Sequence, residues 1–240
     1  MAQSNLDLSR EFAGRRVLVT GGSRGIGAAV AHRLVDAGAT VVVTARSRHA
    51  ETPAGATFVA GELGTDAGAK AVGAKALAEL GGLDILINNA GGTRIHLLNS
   101  EAISDDEWVN ALDVNFLSAV RLTYSVLAAL RAGTSASIIN VSAGGALPFG
   151  GPVAHYGAAK AALNSFSRSL AKELAPAGVR VNIVTPGAVI TPGCDEGREQ
   201  LTRALGLTHE AFFARIPLGR AGRAAEVAEM IAFLVSPRAP

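Results

Sequence analysis

Along the chain, short and almost wholly apolar runs rich in Val, Ile and Leu alternate with longer Ala-rich stretches. The runs are Arg16–Thr20, Thr40–Ala45, Thr57–Ala60, Asp84–Asn88, Ser137–Ser142 and Val179–Thr185. A strand wetted on one side alternates apolar with polar, whereas a strand covered on both faces is apolar throughout, so these runs predict buried parallel strands. Between them, residues 26–37, 66–80, 106–131 and 154–175 carry apolar positions at helical spacing, and Gly38 and Gly178 sit where helices would end. Two more helices are predicted over 208–215 and 224–235. The segment Arg46–Ala56 is short and holds Pro53 and Gly55, which leaves room only for a loop or one turn. Strand, helix, strand alternation predicts the α/β class: a single doubly wound domain over residues 1–240 with a mainly parallel sheet, residues 1–13 forming an N-terminal arm.

Composition narrows the function. Apolar residues make up 49% of the chain and aromatics 5%, so the core is built from Ala, Val, Leu and Ile. Twenty-two basic and twenty acidic residues are scattered rather than gathered into a stripe, which argues against a nucleic-acid partner. Cys194 is the only cysteine, excluding an intrachain disulfide or a cysteine-based zinc cluster, and it reads as a spectator. His96 and His155 have no partners at metal-ligand spacing, so no metal is expected. The first twelve residues hold three charges and no apolar run, and nothing further on resembles a membrane span. A cytoplasmic location without membrane association is expected.

The first chemical signal is Thr20-Gly21-Gly22-Ser23-Arg24-Gly25-Ile26-Gly27, between the first strand and the first helix. Glycines let the backbone turn sharply and approach a pyrophosphate, and the free N–H groups and dipole of a helix N-terminus stabilise its charge. The same residues would also serve a plain strand-to-helix turn, so the motif does not decide alone. Further along come Asn88-Asn89-Ala90-Gly91 at the end of the fourth strand, Asn115 in the long helix, Tyr156-x-x-x-Lys160 at the start of another, and Pro186-Gly187 after the sixth strand.

With its G-x-x-x-G-x-G spacing and these motifs in order, the chain resembles the short-chain dehydrogenase/reductase family over residues 14–237. The resemblance implies a Rossmann-type fold, hydride exchange with a nicotinamide cofactor, and Tyr156 as proton donor and acceptor. It implies that Lys160 holds the nicotinamide ribose and that Asn115 anchors a water leading from the lysine to solvent. Gly21, Ser23, Gly25, Ile26, Gly27, Asn89, Ala90, Gly91, Pro186 and Gly187 would line the cofactor. Glu62 and Leu63 would flank the adenine, and Val189 and Thr191 the carboxamide.

Two positions bear on which cofactor. An acidic residue at the end of the second strand bonds the 2′-hydroxyl of NAD and repels a 2′-phosphate. That position is Ala45, followed by Arg46, while Arg24 lies in the glycine turn. Two guanidinium groups suit a phosphate, so NADP(H) is predicted.

Tyr156 and Lys160 are four residues apart and share a helix face. A free tyrosine titrates near pH 10, and a neighbouring ammonium favours the phenolate, which makes acid–base exchange at a carbonyl oxygen feasible. The family's substrate-binding serine lies thirteen residues before the tyrosine, and that position is Ala143. Ser142 is one residue early, and neighbouring strand residues face opposite ways. Either an extra residue in the following loop brings Ser142 into the role, or the site works without a serine, or the residue has been lost and the enzyme is weak.

Substrate contacts are expected from Gly92–Asn99, Gly144–His155 and Gly193–Pro217, where Leu97, Leu98, Leu147, Phe149, Phe212 and Phe213 favour an apolar or mixed carbonyl compound or alcohol. A 3-oxoacyl thioester is compatible, but no basic patch is evident for an acidic acyl carrier. By the resemblance a last strand beyond residue 237 is expected to be missing from the sheet, and Ala-rich helix faces predict a homodimer or homotetramer. A cofactor-binding scaffold or sensor with little or no turnover is the competing reading.

Overall fold

The computed structural model describes residues 8–92, 94–96, 99–133, 135–143, 153–192, 195, 199–200, 202–203 and 206–239. Six strands, β1 (Arg16–Thr20), β2 (Thr40–Ala45), β3 (Thr57–Ala60), β4 (Ile85–Asn88), β5 (Ser137–Val141) and β6 (Arg180–Val184), form one parallel sheet in the order β3-β2-β1-β4-β5-β6. Val17 pairs with Val41 on one side and Ile85 on the other. The order therefore reverses direction between β1 and β4, and the crevice beyond their C-terminal ends is where an open α/β sheet binds ligands.

The apolar runs are explained by two cores. Val17, Val19, Val43, Ile85, Ile87, Ile139 and Val141 pack against α1 (Gly25–Asp36) and α7 (Ala224–Val235) through Val30, Leu34, Ile231 and Val235. Leu18, Val42, Leu86 and Ile138 pack on the other face against α2 (Asp66–Leu80), α4 (Ser118–Ala132) and α5 (Ala154–Leu174) through Val72, Leu122, Val126 and Leu170. Successive residues of one strand thus enter opposite cores, and each position has to be apolar.

Four features depart from the sequence reading. The helix predicted over 106–131 is α3 (Asp105–Leu112), a π-helical turn at Asp113–Leu117, and α4. The π turn is centred on Asn115, whose side chain donates to the carbonyl of Ala111 four residues back. The helix at 208–215 shortens to α6 (His209–Phe213), and a two-stranded ladder of β7 (Val189–Ile190) and β8 (Gly222–Arg223) has no counterpart in the apolar pattern. Residues 8–13 belong to the packed body rather than to an arm. Phe12 is fully buried and its N–H bonds the Ala37 carbonyl, while Glu11 bridges Arg33 at 3.1 Å and Arg238 at 2.7 Å. Arg46–Ala56 is a loop, as its length and Pro53 required, and β6 is the sheet edge among the described residues. No helix among them is long and apolar enough to cross a membrane.

Candidate active site

The glycine turn lies at the C-terminal end of β1. Gly25 has φ +58°, a left-handed conformation that disfavours any side chain, and a Cβ on Gly27 would fall 2.5 Å from Asn89 Nδ2. The turn is locked to the end of β4 through Thr20. Its Oγ1 accepts from the N–H groups of Asn89 at 2.9 Å and Ala90 at 2.8 Å, and Asn89 Nδ2 donates to the carbonyls of Thr20 and Gly21 at 3.0 and 3.3 Å. Gly21 and Gly27 are thereby brought beside Asn89, and Gly21 beside Ala90, while Ser23, Gly25 and Ile26 lie between them on the same turn. Beneath them Asn88 Nδ2 donates to Thr123 Oγ1 and to Asn140 Oδ1, and Asn140 Nδ2 donates to Ser167 Oγ at 2.7 Å, a buried polar chain from β4 through β5 to α5. Asn140 and Ser167 were not singled out by motif, and a polar residue inside an otherwise apolar strand was the signal available for Asn140.

Arg24 is the N-cap of α1 and Arg46 follows β2; both are exposed, and among the described residues neither pairs with an acidic side chain. Glu62 is exposed and accepts from the Gly64 N–H at 3.1 Å, while Leu63 is buried. From the opposite side, Pro186, Gly187 and Val189 lead to Thr191, which is buried and whose side chain lies against Gly25.

Tyr156 and Lys160 occupy the first turns of α5. Tyr156 is half-buried and Lys160 is 5% exposed, with Nζ 5.8 Å from the tyrosine ring centroid. Nζ donates to the Val141 carbonyl at 2.9 Å, and burial pulls the ammonium from its ordinary value down to about 8. A Cβ on Gly91 would fall 2.8 Å from Asn115 Oδ1 and 3.4 Å from Lys160 Nζ, so that glycine lets three elements meet. Asn115 Oδ1 accepts from the Gly92 N–H at 2.9 Å and Nδ2 donates to the Gly92 carbonyl at 2.8 Å. Its carboxamide is committed to holding this turn.

Ser142 continues the ladder beyond β5, its N–H bonding the Val184 carbonyl at 2.8 Å. By strand alternation it shares the face of Ile138 and Asn140; its Oγ is sealed from solvent and has no hydrogen-bond partner among the described residues, whereas Ala143 is partly exposed. Of the candidate substrate contacts, Leu97, Leu98, Leu147 and Phe149 lie outside the described residues, as does the spectator Cys194. Phe212 and Phe213 stack with each other at 5.8 Å.

A cluster that the motifs did not reveal sits just before Tyr156. The buried His155 ring meets Trp108 and His96 edge-on, at centroid distances of 6.1 and 5.5 Å, and His96 Nε2 lies 3.2 Å from Glu107 Oε1. Burial, then the charge of His96, pushes the His155 imidazole down and favours its neutral form. Among the described residues no group of three potential metal ligands occurs.

The site fits a dinucleotide. A Cβ built on Gly92 or Gly187 would meet nothing within 4 Å, so backbone is open there. An ammonium has three donors and Lys160 uses one on Val141, leaving two for hydroxyl groups of a ribose.

Residues 15–202 match the short chain dehydrogenase family, and the chain belongs to the short-chain dehydrogenase/reductases, a family of nicotinamide-dependent oxidoreductases. Among its relatives is the 3-oxoacyl-(acyl-carrier-protein) reductase FabG of Escherichia coli, 39% identical over 95% of this chain and 92% of the relative. An uncharacterised oxidoreductase of Methylorubrum extorquens is 35% identical over 94% and 92%. The crystal structure of L-sorbose reductase from Gluconobacter frateurii, complexed with NADPH and L-sorbose, superposes with a TM-score of 0.85 at 28% identity, covering 96% of this chain and 93% of that one. The 3-ketoacyl-(acyl-carrier-protein) reductase from Brucella melitensis complexed with NADH gives 0.80 at 30%, covering 95% and 93%.

Proposed function

We propose that the protein is an NADP(H)-dependent oxidoreductase that interconverts a small carbonyl compound and a secondary alcohol. The observation that carries this reading is the buried Lys160 ammonium, set between Tyr156 and the Gly91–Asn115 junction with two donors to spare. A structural lysine is normally solvated or paired with a carboxylate; this one faces a backbone carbonyl and the tyrosine ring.

In this reading Gly21, Ser23, Gly25, Ile26 and Gly27 receive the phosphates, Arg24 and Arg46 the 2′-phosphate, and Glu62 and Leu63 the adenine. Asn89, Ala90 and Gly91 support the ribose side, and Pro186, Gly187, Val189 and Thr191 the carboxamide. The nicotinamide, when bound, supplies or accepts the hydride. Tyr156 gives its hydroxyl proton to the carbonyl oxygen during reduction and takes it back in oxidation. Lys160 stabilises the phenolate electrostatically and bonds the ribose. Asn115 anchors a water leading from Lys160 to solvent in this reading, its carboxamide held in place by Gly92 and Ala111.

Ser142 would need to turn its sealed hydroxyl outward to touch a substrate, and the partly exposed Ala143 has no hydroxyl to offer. This favours a carbonyl polarised by Tyr156 without a serine, and it is the specific observation behind the competing reading, a cofactor-binding scaffold or sensor. The two are separated by following NADPH fluorescence with a panel of ketones, aldehydes and 3-oxoacyl thioesters: oxidation by any member supports the enzyme, binding without oxidation supports the scaffold. A homodimer or homotetramer is favoured by Tyr124 on α4, 51% exposed and meeting Phe166 of α5 edge-on at 6.0 Å, which leaves aromatic surface outward.

A further inference from the structure

The loop between β2 and β3 does more than connect strands. It folds back onto the glycine turn, where Glu51 Oε2 accepts a hydrogen bond from the Gly25 N–H at 2.9 Å. Three further contacts hold it in that place: His32 Nε2 on α1 lies 3.1 Å from the Glu51 carbonyl, Thr52 Oγ1 donates to the Ser23 carbonyl at 3.4 Å, and the His49 N–H donates to Thr52 Oγ1 at 3.2 Å. Gly25 opens α1, so its N–H is one of the donors a helix start leaves unsatisfied and turns towards an anion. The anion on it here belongs to the chain itself. Glu51 was not marked by any motif, because its neighbours in sequence form an irregular loop without apolar period.

We propose that Glu51 is an internal anion that occupies a phosphate-facing donor of the cofactor turn and sets cofactor affinity by competing for it. This rests on reading the turn as the dinucleotide site. A carboxylate on a helix N-terminus is favourable, and a second anion brought to the same N–H must both displace it and approach its charge. Replacing the carboxylate by a carboxamide keeps the side-chain shape, removes the repulsion and weakens the competing bond. The phosphate could be the pyrophosphate, common to both nicotinamide cofactors, or the 2′-phosphate beside Arg24, found only on NADP(H).

The test is the dissociation constant of NADPH, NADH and ADP-ribose for the whole chain and for Glu51→Gln and Glu51→Ala, at fixed ionic strength. It is accompanied by hydrogen exchange of the Gly25 amide without ligand. Competition predicts that Glu51→Gln binds NADPH roughly two- to tenfold more tightly, and that Gly25 exchanges faster in Glu51→Ala. An equal gain for NADH and ADP-ribose assigns the contest to the pyrophosphate; a gain confined to NADPH assigns it to the 2′-phosphate. Unchanged or weaker binding of all three ligands by Glu51→Gln, with the parent chain binding normally, overturns the proposal alone. Failure of every protein, parent included, to bind any of the three overturns the dinucleotide reading and this proposal with it.

Discussion

Replacing Lys160 by methionine should stabilise the ligand-free protein while removing its activity. Burial lowers the lysine from 10.5 to about 8. At about 1.4 kcal/mol per pKa unit, the charged side chain costs the folded state about 3 kcal/mol at neutral pH. The sign follows from proton binding: between pH 8 and 10.5 the unfolded chain holds the proton that the folded chain has released, so stability rises with pH across this window. Methionine fills similar volume without charge, but it strips the Val141 carbonyl of the donor it has at 2.9 Å, a loss of about 1–2 kcal/mol. The net gain at pH 7 is about 1–2 kcal/mol, or roughly 3–6 °C in melting temperature for a chain of this size. At pH 10 the lysine is mostly neutral and the advantage of the variant should vanish or reverse. Calorimetric melting of both proteins at pH 7 and pH 10 checks this, since other titrating groups cancel in the difference. A Lys160→Met variant less stable than the parent at pH 7, or a difference that does not change with pH, would refute the reasoning.

Two kinetic predictions follow from the geometry around the cofactor turn and β5. Arg24→Glu and Arg46→Glu should each raise KM for NADPH by roughly tenfold or more while leaving KM for NADH within about threefold; equal effects on both cofactors would remove the case for a 2′-phosphate site. Ala143→Ser, measured as kcat for carbonyl reduction, should increase turnover on the order of ten- to a hundredfold if position 143 faces the substrate. No change would give the serine's role back to Ser142.

Much of the sheet was legible because burial on both faces leaves a simple record: β1, β2 and β3 begin and end where their apolar runs do, and β5 and β6 are shorter by only their terminal residues. The glycine turn and the Tyr156–Lys160 pair were legible because each depends on nearby residues at fixed spacing. What escaped depends on distant ones. The π turn at Asn115 follows from a side chain that bonds a loop twenty-three residues earlier, and no local propensity encodes that. Thr20 joins β1 to β4 across sixty-nine residues of sequence, and His155 finds His96 and Trp108 only once α3 and α5 pack. The β7–β8 ladder is two residues long on each side, too short for any period to show. Glu51 reaches Gly25 only because the β2–β3 loop lacks a crossover helix, a shortness visible in the sequence whose consequence was not.

The central claim, that Tyr156 is the proton-transfer group of a working NADPH-dependent oxidoreductase, is tested most directly by comparing the parent with Tyr156→Phe. Both are titrated with NADPH and then mixed with the carbonyl panel. The account predicts that both bind NADPH with similar affinity, that the parent oxidises it with at least one carbonyl compound, and that the phenylalanine variant does so at least about a hundredfold more slowly. Equal rates in the two proteins, or NADPH bound by the parent and oxidised with no member of the panel, would contradict it.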